Sequence, residues 1–248
     1  MKKFFYLIIA LALSTGNAMA FENEPAEGLS WMGLFGMNVT KLKNSGYGAK
    51  AGVMLGIRAD YVLPKAHGTY VTAGIDWTMK GGKQSDFPDT KNEYLGVAKY
   101  ALHYIEVPIR VGFRYNLTEN IGIYGEVGPY FAVGVGGRHK FSIDADGASA
   151  REAEDGLSYN AFKNYDFDPN NPRILTYQRW DAGWGFRIGA EYAQRYNLQI
   201  GCDWGISDIY RTSLRDAYAD YFTSQTNEPI TLPRIRNFNF SMTLGYRF

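Results

Sequence analysis

The sequence predicts an all-β protein in which eight antiparallel strands close, up-and-down, into a barrel with its apolar side turned outward. Three observations predict it. Apolar and polar residues alternate along most of the chain, and successive side chains of a strand point to opposite faces, so each such segment has one oily and one polar face. The polar faces carry glycine and charges of both signs, which suits a narrow, crowded interior. The connections between segments alternate between short and long.

The chain opens on Met1-Lys2-Lys3, the apolar run from Phe4 to Leu13, and Ala18-Met19-Ala20. Basic start, short apolar core and small-residue cleavage site are the layout of a secretory signal peptide, so residues 1–20 are expected to be removed and 21–248 to form one domain. The apolar run is too short to cross ~30 Å of hydrocarbon as a helix, and no later run reaches the ~18 residues a helical span needs. No cysteine follows the cleavage site, and the single Cys202 has no internal partner for a disulfide. The net charge of +1 and the absence of a basic stripe exclude an electrostatic case for nucleic acid.

The first strand is expected over 30–39. The second, 49–61, sets Ala51, Val53, Leu55, Ile57 and Tyr61 against Lys50, Arg58 and Asp60. The third, 69–80, sets Val71, Ile75 and Trp77 against Thr72, Asp76 and Lys80. The fourth, 104–117, alternates without a break: Ile105, Val107, Ile109, Val111, Phe113 and Tyr115 oppose Glu106, Pro108, Arg110, Gly112 and Arg114. A helix with a 3.6-residue period would spread those charges over every face. The fifth, 121–136, sets Val127, Phe131 and Val133 against Tyr124, Glu126 and Tyr130; Pro108, in the strand before it, predicts a local bulge. The sixth, 180–192, opposes Trp184, Phe186 and Ile188 to Asp181, Arg187 and Glu191. The seventh, 196–207, opposes Leu198, Ile200, Cys202 and Trp204 to Asn197, Gln199 and Asp203. The eighth, 237–248, alternates strictly from Phe238 to Phe248.

The connections 63–68, 118–120 and 194–195 are short; 41–48, 81–99, 138–177 and 208–236 are mostly long. Long extracellular loops and short periplasmic turns describe an eight-stranded transmembrane β-barrel of the outer membrane. Tyr61, Tyr115, Tyr192, Tyr196, Tyr246 and Phe248 then fall at one rim, and Trp77, Trp184 and Trp204 toward the other, as amphipathic rings at headgroup depth would. A soluble, lipocalin-like barrel is the alternative, with the apolar faces inside.

With the apolar faces outward, Arg58, Arg110, Arg114 and Arg187, together with Lys50, Lys80 and Arg247, point inward. So do Asp60, Asp76, Glu106, Glu126, Asp181, Glu191 and Asp203. Balanced charges in a narrow barrel are expected to pair and fill it, as a structural network; an ion path would more often show one sign in excess.

The motif Tyr104-Ile105-Glu106-Val107-Pro108 resembles the Y-[LI]-E-[IV]-P strand of the PorT-type, porin-like outer-membrane β-barrel family. Gly128-Pro129-Tyr130 resembles the Gly-Pro-Tyr of that family's next strand, and the stretch from Asp181 to Tyr192 resembles its Asp-x-Gly…Gly-x-Glu-Tyr strand. With Gly245-Tyr246-Arg247-Phe248, the ordered set covers about residues 29–248. The aromatic Phe248 resembles the terminal residue that the barrel-assembly machinery reads on closing strands. The resemblance implies a Gram-negative outer membrane, contact with its lipids, and an envelope or secretion-system protein as partner. Activity it does not specify.

No G-x-S-x-G, H-E-x-x-H or phosphate loop is present. His103 and His139, with Ser142 nearby, are the candidates for a lipid-modifying site on the rim; His67 sits in a short turn. Asp144, Asp146, Asp166 and Asp168 cluster in the longest loop without the spacing of a calcium loop. The expectation is a monomeric, non-enzymatic barrel without catalytic, cofactor or metal residues, acting through its loops. A narrow solute channel is the alternative, and a rim-located lipid-modifying enzyme the third reading.

Overall fold

A computed structural model describes residues 25–88, 95–143, 158–167 and 176–248. Residues 1–20 lie outside these, as do Asp144, Asp146 and Asp168. The strands are β1 (Gly28–Lys43), β2 (Lys50–Val62), β3 (Thr69–Pro88), β4 (Leu95–Asn116), β5 (Ile121–Ile143), β6 (Tyr159–Asn160), β7 (Trp180–Tyr192), β8 (Tyr196–Gly205) and β9 (Arg236–Arg247), with one helix, α1 (Thr212–Thr226). Eight of the strands close an antiparallel barrel in the order β1-β2-β3-β4-β5-β7-β8-β9, and β9 returns to β1 from Met32↔Arg247 to Lys43↔Arg236. The short β6 adds to β5 beyond the barrel wall, pairing Arg138↔Asn160 and His139↔Tyr159.

The apolar faces look outward. Ile109 is 44% exposed and its neighbour Arg110 only 1%. Leu55, Phe131, Phe186, Ile188 and Leu244 are likewise exposed, while the charged residues of the opposite face are buried, Lys50 alone being half-buried. An oil-inside barrel is excluded by this register. Along the outer wall, cross-strand rows match residues of one kind. Tyr192, Tyr196 and Tyr246 share a row at the end holding the short turns, and the Tyr196 and Tyr246 rings lie 5.5 Å apart. Trp184, Trp204 and Phe238 share a row toward the opposite end. Cys202 sits between Phe186 and Phe240 in the apolar wall.

The turn end is tight. Residues 193–195 link β7 to β8, with Ala193 and Gln194 both in the left-handed region at φ 50° and 56°. Such positive φ pairs match the right-handed twist of hairpin strands. The link from β2 to β3 places Lys65, His67 and Gly68 there too.

The loop end departs from expectation in three ways. β3, β4 and β5 run for 20, 22 and 23 residues, whereas ~9–11 residues suffice to cross a membrane. Much of 81–99, expected as loop, is therefore a hairpin of β3 and β4, and 138–143 continues β5 beside it. Past the hydrocarbon neither face of a strand has to be apolar, so the pairing continues after the alternation fades. Residues 212–226, also expected as loop, form α1, which buries Leu214 and Tyr218 one helical turn apart. The bulge expected at Pro108 is absent. The β3–β4 register holds from Ala73↔Ile109 to Asp76↔Glu106, and the shift occurs instead at His103/Tyr104 against β5. A proline lacks one donor, which interrupts a ladder without requiring an extra residue.

The register makes a prediction at two adjacent positions. In a Cys202→Ser background, a thiol introduced by Ile109→Cys should be quenched by a lipid-dissolved probe, and one introduced by Arg110→Cys should not. Ile109→Arg puts a charge on the lipid face at a cost of ~2–4 kcal/mol and should reduce the heat-modifiable barrel on gels.

Candidate functional site: the closed lumen

The inward side chains form three tiers. Nearest the short turns, Arg114 meets Asp60 at 3.1 Å and Glu191 at 3.6 Å, while Arg247 meets the same two carboxylates at 3.0 Å each. Two guanidinium groups and two carboxylates thus close a ring drawn from β2, β4, β7 and β9. Above it runs an alternating chain. Arg58 bridges Asp76 at 2.9 Å and Glu126 at 3.3 Å; Arg110 bridges Glu126 at 3.3 Å and Asp203 at 3.5 Å; Arg187 completes it on Asp203 at 2.7 Å. Toward the loops, Lys80 lies between Glu106 at 2.8 Å and Asp181 at 3.2 Å. Asp181 also accepts hydrogen bonds from Tyr130, Asn237 and Ser207.

Arg58, Asp60, Asp76, Glu106, Arg110, Arg114, Glu126, Asp181, Arg187, Glu191 and Asp203 are therefore brought together, with Lys80 and Arg247 completing the set. Lys50, also read as inward, is half-buried at the loop end and joins none of the tiers. Period-2 alternation located these groups because a strand fixes the side to which each residue points. The uncharged members that complete the shells were less legible. Tyr70 donates to Glu126 at 3.1 Å and Asn239 to Asp203 at 2.9 Å, and polarity alone does not say which carboxylate each one reaches.

Glycine makes the room. Tyr70 pairs across the ladder with Gly112, Tyr124 with Gly189 and Arg187 with Gly201; a Cβ on any of these glycines would overlap the partner's side chain. A large group on one strand occupies the space that its neighbour leaves empty.

The loop-end mouth is covered. At the loop end Phe162 packs edge-on to Tyr104 at 5.6 Å and lies over Gly134 and Gly137, in one apolar cluster with Leu42, Tyr100, Tyr177, Ile209 and Ile235. Arg211 holds it there, donating to the carbonyls of Phe162 at 3.0 Å and Tyr177 at 3.2 Å. Burial pushes the phenol of Tyr47, at the edge of this cluster, up to about 12, against a hydrogen bond with Tyr100 that lowers it. At the turn end, buried Pro25 lies across Gly68, and Glu27 accepts the backbone N–H of Lys65 at 2.9 Å. A cavity of ≈ 110 Å³ remains beside Arg114, Glu191 and Arg247.

The rim histidines do not converge. His103 faces outward and stacks on Trp77 at 5.6 Å; His139 lies between Tyr100 and Tyr159, with neither ring nitrogen hydrogen-bonded to a described residue. The side chain of Ser142 lies outside the described residues. Among the described residues no cluster of His, Cys, Asp and Glu is arranged to hold a metal.

The chain matches the family described as "Outer membrane protein beta-barrel domain" over residues 8–248. No curated protein matches it. Among solved structures, the attachment invasion locus protein Ail of Yersinia pestis aligns at 15% identity over 90% of this chain and 100% of its own, with a TM-score of 0.37. Neisserial surface protein A aligns at 14% over 90% and 100%, with a TM-score of 0.41. OprG from Pseudomonas aeruginosa aligns at 13% over 92% and 99%, with a TM-score of 0.37. Values this low transfer neither a ligand nor an activity.

The middle tier yields a stability prediction. Asp203→Ala leaves Arg187 and Arg110 short of a carboxylate in a buried setting, where loss of one partner costs ~3–5 kcal/mol. Urea unfolding in detergent should show that loss, and Asp203→Leu combined with Arg187→Met should recover much of it. Equal destabilisation by the single and double variants would mean that the tier is not an energetic unit.

Proposed function

This chain belongs to the outer membrane protein β-barrel domain family, and from that premise we propose a non-enzymatic outer-membrane protein with a sealed lumen that acts through its loop end. The observation that carries this reading is the filling of the interior. Three ion-paired tiers fill the barrel, and Phe162 with its apolar cluster covers the loop-end mouth. Opposite charges at these separations satisfy one another rather than line a path for ions. Recognition then falls to the parts beyond the barrel: the β3–β4–β5 extension, α1 and the segments around them.

The remaining features of the proposal rest on the sequence. Residues 1–20 export the chain as a cleaved signal peptide. The short turns face the periplasm and the long loops the exterior. Phe248, 78% exposed on the apolar wall, is offered to the barrel-assembly machinery. The Tyr104–Pro108, Gly128–Tyr130 and Asp181–Tyr192 motifs support a PorT-like placement within the family, with an envelope or secretion-system protein as the partner of a monomeric barrel.

In planar bilayers the purified protein should show no large, steady conductance; a stable multi-nanosiemens pore would sink the sealed-lumen reading. Protease added to intact cells should cut the connection between β5 and β7 and spare the turn at Lys65-Ala66. The reverse pattern would invert the topology.

A further inference from the structure

β3, β4 and β5 continue together past the apolar wall, and on their outward face the ladder brings like charges into line. Lys83 pairs with Lys99, and Lys99 pairs with Lys140. All three are exposed. Directly opposed residues on adjacent strands lie ~5 Å apart, and like charges there repel and destabilise the pairing. Arg138, exposed two residues below Lys140, adds a fourth cation to the same face, and Lys50 stands close enough to Lys99 for the two to repel. None of these five groups forms an ion pair with a described residue, and no carboxylate lies on the face among the residues whose side chains are described. A row of lysines with no described counter-ion is retained at a cost in isolation, which an anionic ligand would offset.

Position says which anion. Ile105 and Trp77, paired across β3 and β4, are the outermost large apolar pair of that wall. Lys99 lies six residues beyond Ile105 along β4. At ~3.3 Å per residue and a strand tilt of ~40°, it stands ~15 Å above the hydrocarbon edge. A glycerophospholipid headgroup layer is only ~5–8 Å deep. The row therefore overlooks the glycerol depth and faces the sugars of any glycolipid in the outer leaflet. We propose that Lys83, Lys99 and Lys140, with Arg138, form a binding surface for the phosphate groups of an outer-leaflet phosphorylated glycolipid. The proposal rests on the outward orientation of the loop end.

Nanodiscs test it, because they have no sidedness and so report binding independently of orientation. Wild-type protein is reconstituted in phosphatidylcholine, and binding of rough lipopolysaccharide is compared with binding of the same material after phosphatase treatment and of phosphatidylglycerol. Wild type should prefer the phosphorylated glycolipid to both controls, with an affinity that falls as salt is raised. Each lysine near an anionic surface contributes about fivefold, so Lys83→Gln/Lys99→Gln/Lys140→Gln should weaken binding on the order of a hundredfold. In pure phosphatidylcholine the same variant should be at least as stable as wild type, because repulsion is relieved; the corresponding triple Arg variant should retain binding. If the triple Gln variant does not assemble, Lys99→Gln alone should still weaken binding about fivefold. Equal binding by wild type and either Gln variant, equal binding before and after phosphatase, or equal response to phosphatidylglycerol would each overturn the proposal. Labelling of Lys99→Cys by an impermeant reagent on intact cells separately tests the orientation.

Discussion

Everything in this molecule depends on closing the sheet. In hydrocarbon no water is available to backbone N–H and C=O groups, so an edge strand inside a membrane would leave a row of them unsatisfied at several kcal/mol each. The ladder between β1 and β9 removes that edge. Once the circle is closed with eight strands, its interior volume is fixed, and each inward position has to fit it. The alternation of glycine with Tyr70, Tyr124 and Arg187 follows from this, since two large groups cannot sit side by side on adjacent strands inside so narrow a tube. The charged tiers follow as well. Polar faces turned inward carry charge, and burial demands that each charge find a partner.

The three tiers differ in composition, and the difference follows from their surroundings. The ring of Asp60, Arg114, Glu191 and Arg247 is balanced, and so is the chain from Asp76 to Arg187. In the third, Lys80 alone faces Glu106 and Asp181. Here the aromatic neighbours contribute: the ammonium lies 4.4 Å from the ring centre of Tyr130, and Tyr130, Asn237 and Ser207 all donate to Asp181. Hydrogen bonds from neutral groups supply what a second cation supplies elsewhere. Arg and Lys are used accordingly. Arg58, Arg110, Arg114 and Arg247 each span two carboxylates with separate nitrogens, whereas Lys80 meets its two through one ammonium set against a ring face.

Wherever the membrane constrains the chain, the sequence was legible. Trp180–Tyr192 has the bounds that alternation predicts, and strands β2, β8 and β9 differ by a residue or two at an end. The hydrocarbon forces one face to be apolar, and that constraint writes a period into the residues. Beyond it the period fades. Gly81-Gly82-Lys83-Gln84 carries no apolar alternation and reads as loop, although it continues β3. α1 held a usable signal in the spacing of Leu214, Tyr218 and Phe222, but helical spacing over one short segment stands out weakly against so many strands. Phe162 had no local signal. Its place depends on Gly134 and Gly137 from another element and on Arg211, distant in the chain.

The tiers have one more consequence, for the order in which the protein is built. Lys80 joins Asp181 across 101 residues of chain, Arg58 joins Glu126 across 68, and Arg247 reaches Ser30 across 217. None of these links connects the two arms of a single hairpin. A lone hairpin pressed into lipid would bring only part of its pairing along: Arg58–Asp76, Lys80–Glu106, Arg110–Glu126 and Arg187–Asp203 lie within hairpins, whereas Asp60, Asp181 and Glu191 would arrive with no counter-charge. Only when the last strand meets the first does the ring of Asp60, Arg114, Glu191 and Arg247 close. The interior is thus a checkpoint on biogenesis: it penalises partial insertion and rewards a concerted one. The same pairs, once made, brace the tube across its diameter like spokes and hold its cross-section round against the lateral pressure of the bilayer.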